Sequence, residues 1–371
     1  MKNQKLLLTS CFYAFFCCGI VMLTMGSALP DISSANNLPY TLSGAMLSCF
    51  SLGNLASGIL SSLAVLYLGP KIAIVLLTLC ICLGMSLLAS VNAHVLLFAA
   101  CVLAGLGRGS LITFSQANVS LATNGNTRTT AMLHAVFAAG AILAPVMFSA
   151  LRVFDWRAGL VVVAVLCAIS AVLFMSVKDY PRVPAKSGKS LDFLRDRGFI
   201  MLGALMFLYL CCEFALNGWL VTYMTHKNMT MNYSQAMAAL LWVVMLVGRL
   251  TCAWLSKYVR QKKLLLASCF GSVVFFGCML ASEGRPGVAV SVACLGLCMA
   301  GISPIIYASS AQYTNRYPMA MGVLFTAGCT GGTLMPLITG VIAESFGFDG
   351  GMTAILAAFI MLFVLAVLHL S

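Results

Sequence analysis

Long runs of mostly apolar residues recur from one end of this sequence to the other, and nothing else in it restricts the fold as strongly. Twelve can be placed, at 6–29, 41–66, 71–91, 94–121, 129–151, 158–177, 198–225, 233–255, 262–281, 287–311, 318–343 and 349–369. At about 1.5 Å per residue, most are long enough to cross a hydrocarbon core of about 30 Å as helices. Backbone inside lipid must satisfy every N–H and C=O internally, so lone spans of this length read as helices rather than strands. Composition agrees: 61% of the 371 residues are hydrophobic and 8% are charged, with a mean hydropathy of +1.02. Soluble domains carry roughly 25% charged residues. The expected fold class is therefore an all-α membrane protein with twelve transmembrane helices. Lys2 and Lys5 lead into the first run without a signal-peptide cleavage pattern, so that run is expected to be span 1.

The formal net charge of +12 is a topology signal rather than a nucleic-acid footprint, because the basic residues gather in alternate loops. With the N-terminus inside, the inner loops and tails hold fifteen Lys and Arg and the outer loops hold four, Arg152, Arg157, Lys227 and Arg285. Both termini are thus expected on the cytoplasmic side of a bacterial inner membrane, with the lipid bilayer as surroundings and no nucleic-acid partner. The 16 cysteines all fall inside the spans and include no CxxC, so they read as small packing residues rather than a disulfide framework or a zinc site.

Residues 178–197, KDYPRVPAKSGKSLDFLRDR, form the longest polar stretch and divide six spans from six. The expected organisation is an N-terminal bundle over 1–177, a cytoplasmic linker over 178–197 and a C-terminal bundle over 198–371. The halves echo one another. Leu52-Gly53-Asn54-Leu55 in span 2 answers Val247-Gly248-Arg249-Leu250 in span 8, and Tyr67 and Lys71 answer Tyr258 and Lys262. Gly140 and Pro145 in span 5 answer Gly331 and Pro336 in span 11, 191 residues later. Two such pseudo-symmetric six-helix bundles in parallel repeat suggest a secondary transporter, with its substrate site near the midplane.

The six-plus-six layout, the Gly69-Pro70-Lys71 turn after span 2 and the basic loop between spans 8 and 9 resemble the major facilitator superfamily over the whole chain. The stretch His134 to Pro145 followed by Asp155-Trp156-Arg157, the sequence Gly301-Ile302-Ser303-Pro304 and the stretch Tyr209 to Tyr223 resemble its fucose, glucose and galactose proton-symporter branch and that branch's uncharacterised bacterial relatives. The resemblance implies a cavity lined by helices 1, 4, 7 and 10. It also has departures. Leu66 and Tyr67 stand where the family's loop pattern carries Asp and Arg, span 1 as bounded here holds no carboxylate, and Phe114 to Asn118 offers only hydroxyl and amide groups.

Glu213 is the only acidic side chain these boundaries place deep in a span, and an acid at that depth is costly enough to suggest function. It shares a polar stripe with Tyr209 and Asn217, each four residues apart on one helical face. Burial disfavours its charge, which would let a proton gradient load and unload it. The competing reading is a carboxylate paired permanently with an arginine or hydrogen-bonded as the acid. Arg108, near the centre of span 4, can grip a carboxylate or present donors to a hydroxyl or an anion, or it can serve helix packing. A sugar needs several hydrogen-bonding groups and an apolar platform. The candidates are Asn54, Gln116, Asn118, Tyr209, Asn217, Trp219, Ser303, Tyr307 and Gln312, with Trp219 equally suited to an interfacial belt. Arg249, near the end of span 8, suits gating or structure, and Pro145, Pro304 and Pro336 are candidate hinges because each removes a helix hydrogen bond. His134 can titrate near neutrality but is read first as packing. No nucleophile-base pair, metal cluster or nucleotide loop is evident, so no enzyme activity, metal or cofactor is expected. The reading is a monomeric secondary transporter of a small polar solute, most simply a sugar, driven by protons through Glu213. The alternatives are a proton-coupled exporter of drugs or metabolites and an organic-anion transporter.

Overall fold

Each apolar run becomes helical, and the ends are set where the chain supplies a turn residue or a cap. The structure, a computed structural model, describes residues 2–123, 127–178, 180, 192–314, 317 and 320–370. Spans 1 to 9 are α1 (Lys2–Ala35), α2 (Tyr40–Leu68), α3 (Pro70–Ser90), α4 (His94–Ala122), α5 (Thr127–Leu151), α6 (Trp156–Ser176), α7 (Arg197–His226), α8 (Met231–Leu255) and α9 (Gln261–Ala281). Span 10 is α10 (Arg285–Met299), α11 (Ile302–Ser309) and α12 (Ala311–Thr314). Spans 11 and 12 are α13 (Ala320–Phe346) and α14 (Phe348–Leu370). Gly69, at φ 78°, turns the chain from α2 into α3, a conformation that a side chain would strain. Pro70 then opens α3 at a position whose N–H would be unpaired anyway. Asp155 caps α6 by accepting from the Arg157 N–H, and Asp196 caps α7 by accepting from Gly198 and Phe199. Most of the linker 178–197 lies outside the described residues. Its last part forms a short 3-10 turn, Asp192–Arg195, leading into α7.

Two expected boundaries change. The first span does not stop before Pro30 but continues as one helix to Ala35, which brings Asp31 onto it. A single proline removes one hydrogen bond, and a long helix held by its neighbours can absorb that loss. Span 10 instead loses its hydrogen-bonding pattern at Ala300 and Gly301, four and three residues before Pro304. Pro304 has no N–H for the Ala300 carbonyl, which explains where the break falls. Ala300 and Gly301 keep right-handed helical torsions, so the pattern is interrupted without a reversal of the chain. Pro145 and Pro336 sit inside continuous helices.

The chain forms two compact units, Met1–Pro39 with Ala45–Pro184, and Tyr40–Gly44 with Ala185–Ser371. In the first, α1 packs against α5, α4 and α6, and α3 packs against α4 and α6. In the second, α7 packs against α13, α14 and α8, α9 against α10 and α14, and α10 against α8. Glycines let the backbones meet. Gly140 lies on the Phe16 carbonyl, and Gly331 lies on the Phe207 carbonyl, so α1/α5 and α7/α13 share one contact at a spacing of 191 residues. The outward faces stay apolar. On α6, Val161, Val165, Ile169 and Val172 are exposed while Leu160, Val163, Cys167 and Phe174 are buried, as expected of a helix with lipid on one side. The second unit also takes in the first turn of α2, where the Tyr40 N–H donates to Glu344 Oε2 at 2.7 Å.

Candidate functional site

In the first unit the polar centre is Arg108, 4% exposed on α4. Its Nη1 donates to Asn54 Oδ1 on α2 at 2.8 Å, Nε to the Cys18 carbonyl on α1 at 3.3 Å, and Nη2 reaches Met22 Sδ at 3.2 Å. The Phe50 and Phe137 rings lie 5.9 and 5.7 Å from the guanidinium carbon. Gly105 and Gly109, flanking it on α4, approach α2 so closely that a side chain at either would collide with it, and this proximity brings Asn54 within reach. The result is an oriented cation in an aromatic surround, suited to an electron-rich group. The other α4 candidates lie apart from it. Gln116 Nε2 meets His134 Nε2 at 3.2 Å, and the exposed His134 ring stands edge-on to Phe15. Asn118 turns its amide back onto the Phe114 carbonyl at 2.8 Å, leaving a buried Oδ1 without a hydrogen bond.

The second unit gathers the α7 stripe. Glu213 is 7% exposed, between Tyr209 and Asn217, both of which are also buried. The Tyr209 hydroxyl lies beside Ser303 and Glu213 and within electrostatic reach of Arg249, without a hydrogen bond of good geometry. Tyr307 is likewise within electrostatic reach of Glu213. Asn217 Oδ1 accepts from Trp242 Nε1 at 3.0 Å, while its buried Nδ2 has no hydrogen-bond partner. Arg249 rests against the Trp242 ring at 5.7 Å, and its buried Nε has no hydrogen-bond partner. One seam therefore runs from Ser303 and Tyr307 through Tyr209 and Glu213 to Arg249, Trp242 and Asn217. Trp219 is not part of it. It is fully buried against Tyr40 and Phe348, with Nε1 donating to the Pro336 carbonyl at 3.1 Å. Full burial removes it from an interfacial belt.

Two features escape a reading of the sequence. Trp242 joins Asn217 to Arg249, and its position seven residues before Arg249, on the same helical face, is the signal that points to it. Asp31 is the more consequential. Glu213 is not the one buried acid, because Asp31 near the end of α1 is only 9% exposed and pairs with Arg152 Nη2 at 2.6 Å. The stop assigned at Pro30 put Asp31 in a loop.

Among the described residues, twelve helices long and apolar enough to cross a membrane, folded as two units with polar centres buried within them, indicate a multi-pass membrane protein. Residues 11–308 match the family model described as Major Facilitator Superfamily, and the chain belongs to that superfamily of secondary transporters of small solutes. No curated protein matches the sequence. The fold is similar to that of a mutant form of the nucleoside transporter NupG, with a TM-score of 0.81 at 14% identity over 100% of both chains. It is also similar to a bacterial homolog of the human lysosomal transporter Spinster in an inward-facing, unoccupied conformation. That match has a TM-score of 0.82 at 11% identity and covers 99% of this chain and 97% of the other. At these identities the likeness is one of fold.

Proposed function

We propose that this chain is a proton-coupled transporter of a small polar solute, most simply a sugar or a sugar-bearing molecule, working as a monomer in a bacterial inner membrane. The observation that carries the proposal is Glu213, buried in the middle of α7 among hydroxyl, amide and guanidinium groups. An ionised carboxylate there can accept from the neighbouring hydroxyls and a protonated one can donate to them, with Arg249 in reach of the same Tyr209 hydroxyl, so the seam accommodates both states of a proton cycle. Hydroxyls and amides also suit a solute that presents hydroxyl groups. The motif resemblance to hexose symporters supports this, as does the fold likeness to a nucleoside transporter, since a nucleoside contains a sugar. In this reading the solute-binding residues are Arg108, Gln116 and Asn118 in the first unit and Tyr209, Asn217, Ser303 and Tyr307 in the second, and the break before Pro304 is the hinge, with Pro145, Pro336 and Arg249 assisting. The positive-inside bias supports cytoplasmic termini.

The test is transport into proteoliposomes with a panel of hexoses, nucleosides and organic acids. Glu213→Gln is expected to abolish accumulation driven by a proton gradient while leaving solute binding and exchange. A Glu213→Gln protein that still concentrates its solute would remove the coupling role. A second reading, an organic-anion transporter, is favoured by Arg108, a buried cation facing two rings. It predicts that organic acids outcompete sugars and that Arg108→Ala abolishes their binding.

A further inference from the structure

A cavity of about 280 Å³ opens in the second unit, away from the α7 seam. Leu202, Leu265 and Ile305, all buried, are among its lining residues and supply an apolar floor. Its polar lining comes from separate helices: Lys262 from α9, Ser309 from α11, Gln312 and Tyr313 from α12, and His369 from α14. Among the described residues, no carboxylate lines it. The nearby acid, Asp196, is already engaged, accepting from the Tyr313 hydroxyl at 2.8 Å and from the Gly198 N–H at 2.7 Å. Lys262 and His369 are close enough to act on each other electrostatically. Among the described residues, none of Lys262, Gln312 and His369 has a hydrogen-bond partner. The α9 N-terminus, where Lys262 sits in the first turn, has no side-chain cap.

We infer that this cavity is a second ligand site, for a phosphate-bearing anion. Donors arriving from four helices suit an ion with several acceptor oxygens, and an ammonium beside an imidazole makes the site hospitable to negative charge. Exposed Arg260 and Lys263 on the adjoining turn raise the local concentration of anions. The volume fits a headgroup or a small phosphate ester and not a whole phospholipid. Because Ile305, Ser309, Gln312 and Tyr313 all lie beyond the break in span 10, an occupant ties that half to α7, α9 and α14. The site thereby links anion binding to the transport cycle.

The experiment uses the full chain in detergent micelles with two probes, phosphatidylglycerol followed by native mass spectrometry and glycerol 3-phosphate followed by calorimetry. At least one probe is expected to bind the wild type, and the double substitution Lys262→Gln with His369→Gln is expected to weaken it about tenfold or more. Lys257→Gln, which alters a charge outside the cavity, is expected to change it less than twofold. Lipid binding alone identifies a headgroup site, and ester binding alone identifies a site for a soluble metabolite. Gln312→Ala, on the exposed face of α12, repeats the measurement if the double variant unfolds. Failure of both probes to bind, or equal binding by the cavity variants and the wild type, overturns the inference.

Discussion

Asp31 and Arg152 form a pair whose two members are unequally placed, and this makes their contributions separable. Asp31 is 9% exposed and Arg152 is 36% exposed. Removing the acid leaves an arginine that water or headgroups can still reach, whereas removing the arginine leaves a buried carboxylate with its charge uncompensated. Arg152→Ala is therefore expected to destabilise by about 3 kcal/mol and Asp31→Asn by about 1 kcal/mol. Combining them should recover most of the larger loss, as measured by unfolding in detergent. Equal single losses, or an additive double variant, would mean that the pair does not act as a unit. At this scale a reading of the sequence sees charge more readily than pairing. Glu213 and Arg108 stand out because a charge within an apolar run is visible as such. Asn54, Trp242 and Asp31 depend on which helices touch and on where a helix passes a proline.

Among the elements, close glycine contacts decide which helices can approach. A Cβ on Gly140 or Gly331 would overlap the carbonyl of Phe16 or Phe207, while one on Gly203 in α7 meets nothing within 4 Å. Gly140→Ala and Gly331→Ala are expected to cost about 1–3 kcal/mol each by forcing the backbones apart. Gly203→Ala is expected to stabilise by about 0.5–1 kcal/mol through helix propensity. Thermal unfolding of the three variants distinguishes this from a general intolerance of substitution. The start of α7 offers a pH test. Asp196 is held below the usual carboxylate range, first by the Tyr313 hydroxyl and then by the Gly198 and Phe199 N–H groups. A depressed folded-state value stabilises above the unfolded carboxylate value and is lost as pH falls through the folded one. The stability advantage of the wild type over Tyr313→Phe should thus be full at neutral pH and shrink on acidification below about pH 4. An advantage that is flat with pH would assign it to packing. Spacing and caps made the helices legible, to within a few residues at most ends. The break in span 10 was legible only as a proline, since a proline alone does not say whether a helix continues, as in α5 and α13, or is interrupted.

Across the whole molecule the second half repeats the first at one spacing: α2 and α8 begin 191 residues apart, as do α3 and α9, and α4 and α10. At that spacing Glu213 on α7 corresponds to Met22 on α1, the methionine that Arg108 touches, and Arg108 corresponds to Met299. Each half thus holds a buried charge where the other holds a thioether. The repeat fixes the fold and the divergence within it supplies the chemistry, which is why the sequence revealed the architecture more fully than the solute. The repeat does not fix which way the chain faces, because six helices per half bring each half back to the side where it began. Orientation is left to the basic residues, fifteen against four by loop. If that bias governs insertion, a fluorescent protein fused after Ser371 should fold and emit light in the cytoplasm, while alkaline phosphatase fused there stays inactive. Fusions ending at Glu283, between α9 and α10, should show the opposite pair of results. The reversed pattern would place Lys257 to Lys263 outside, against the one topological signal that the loops carry.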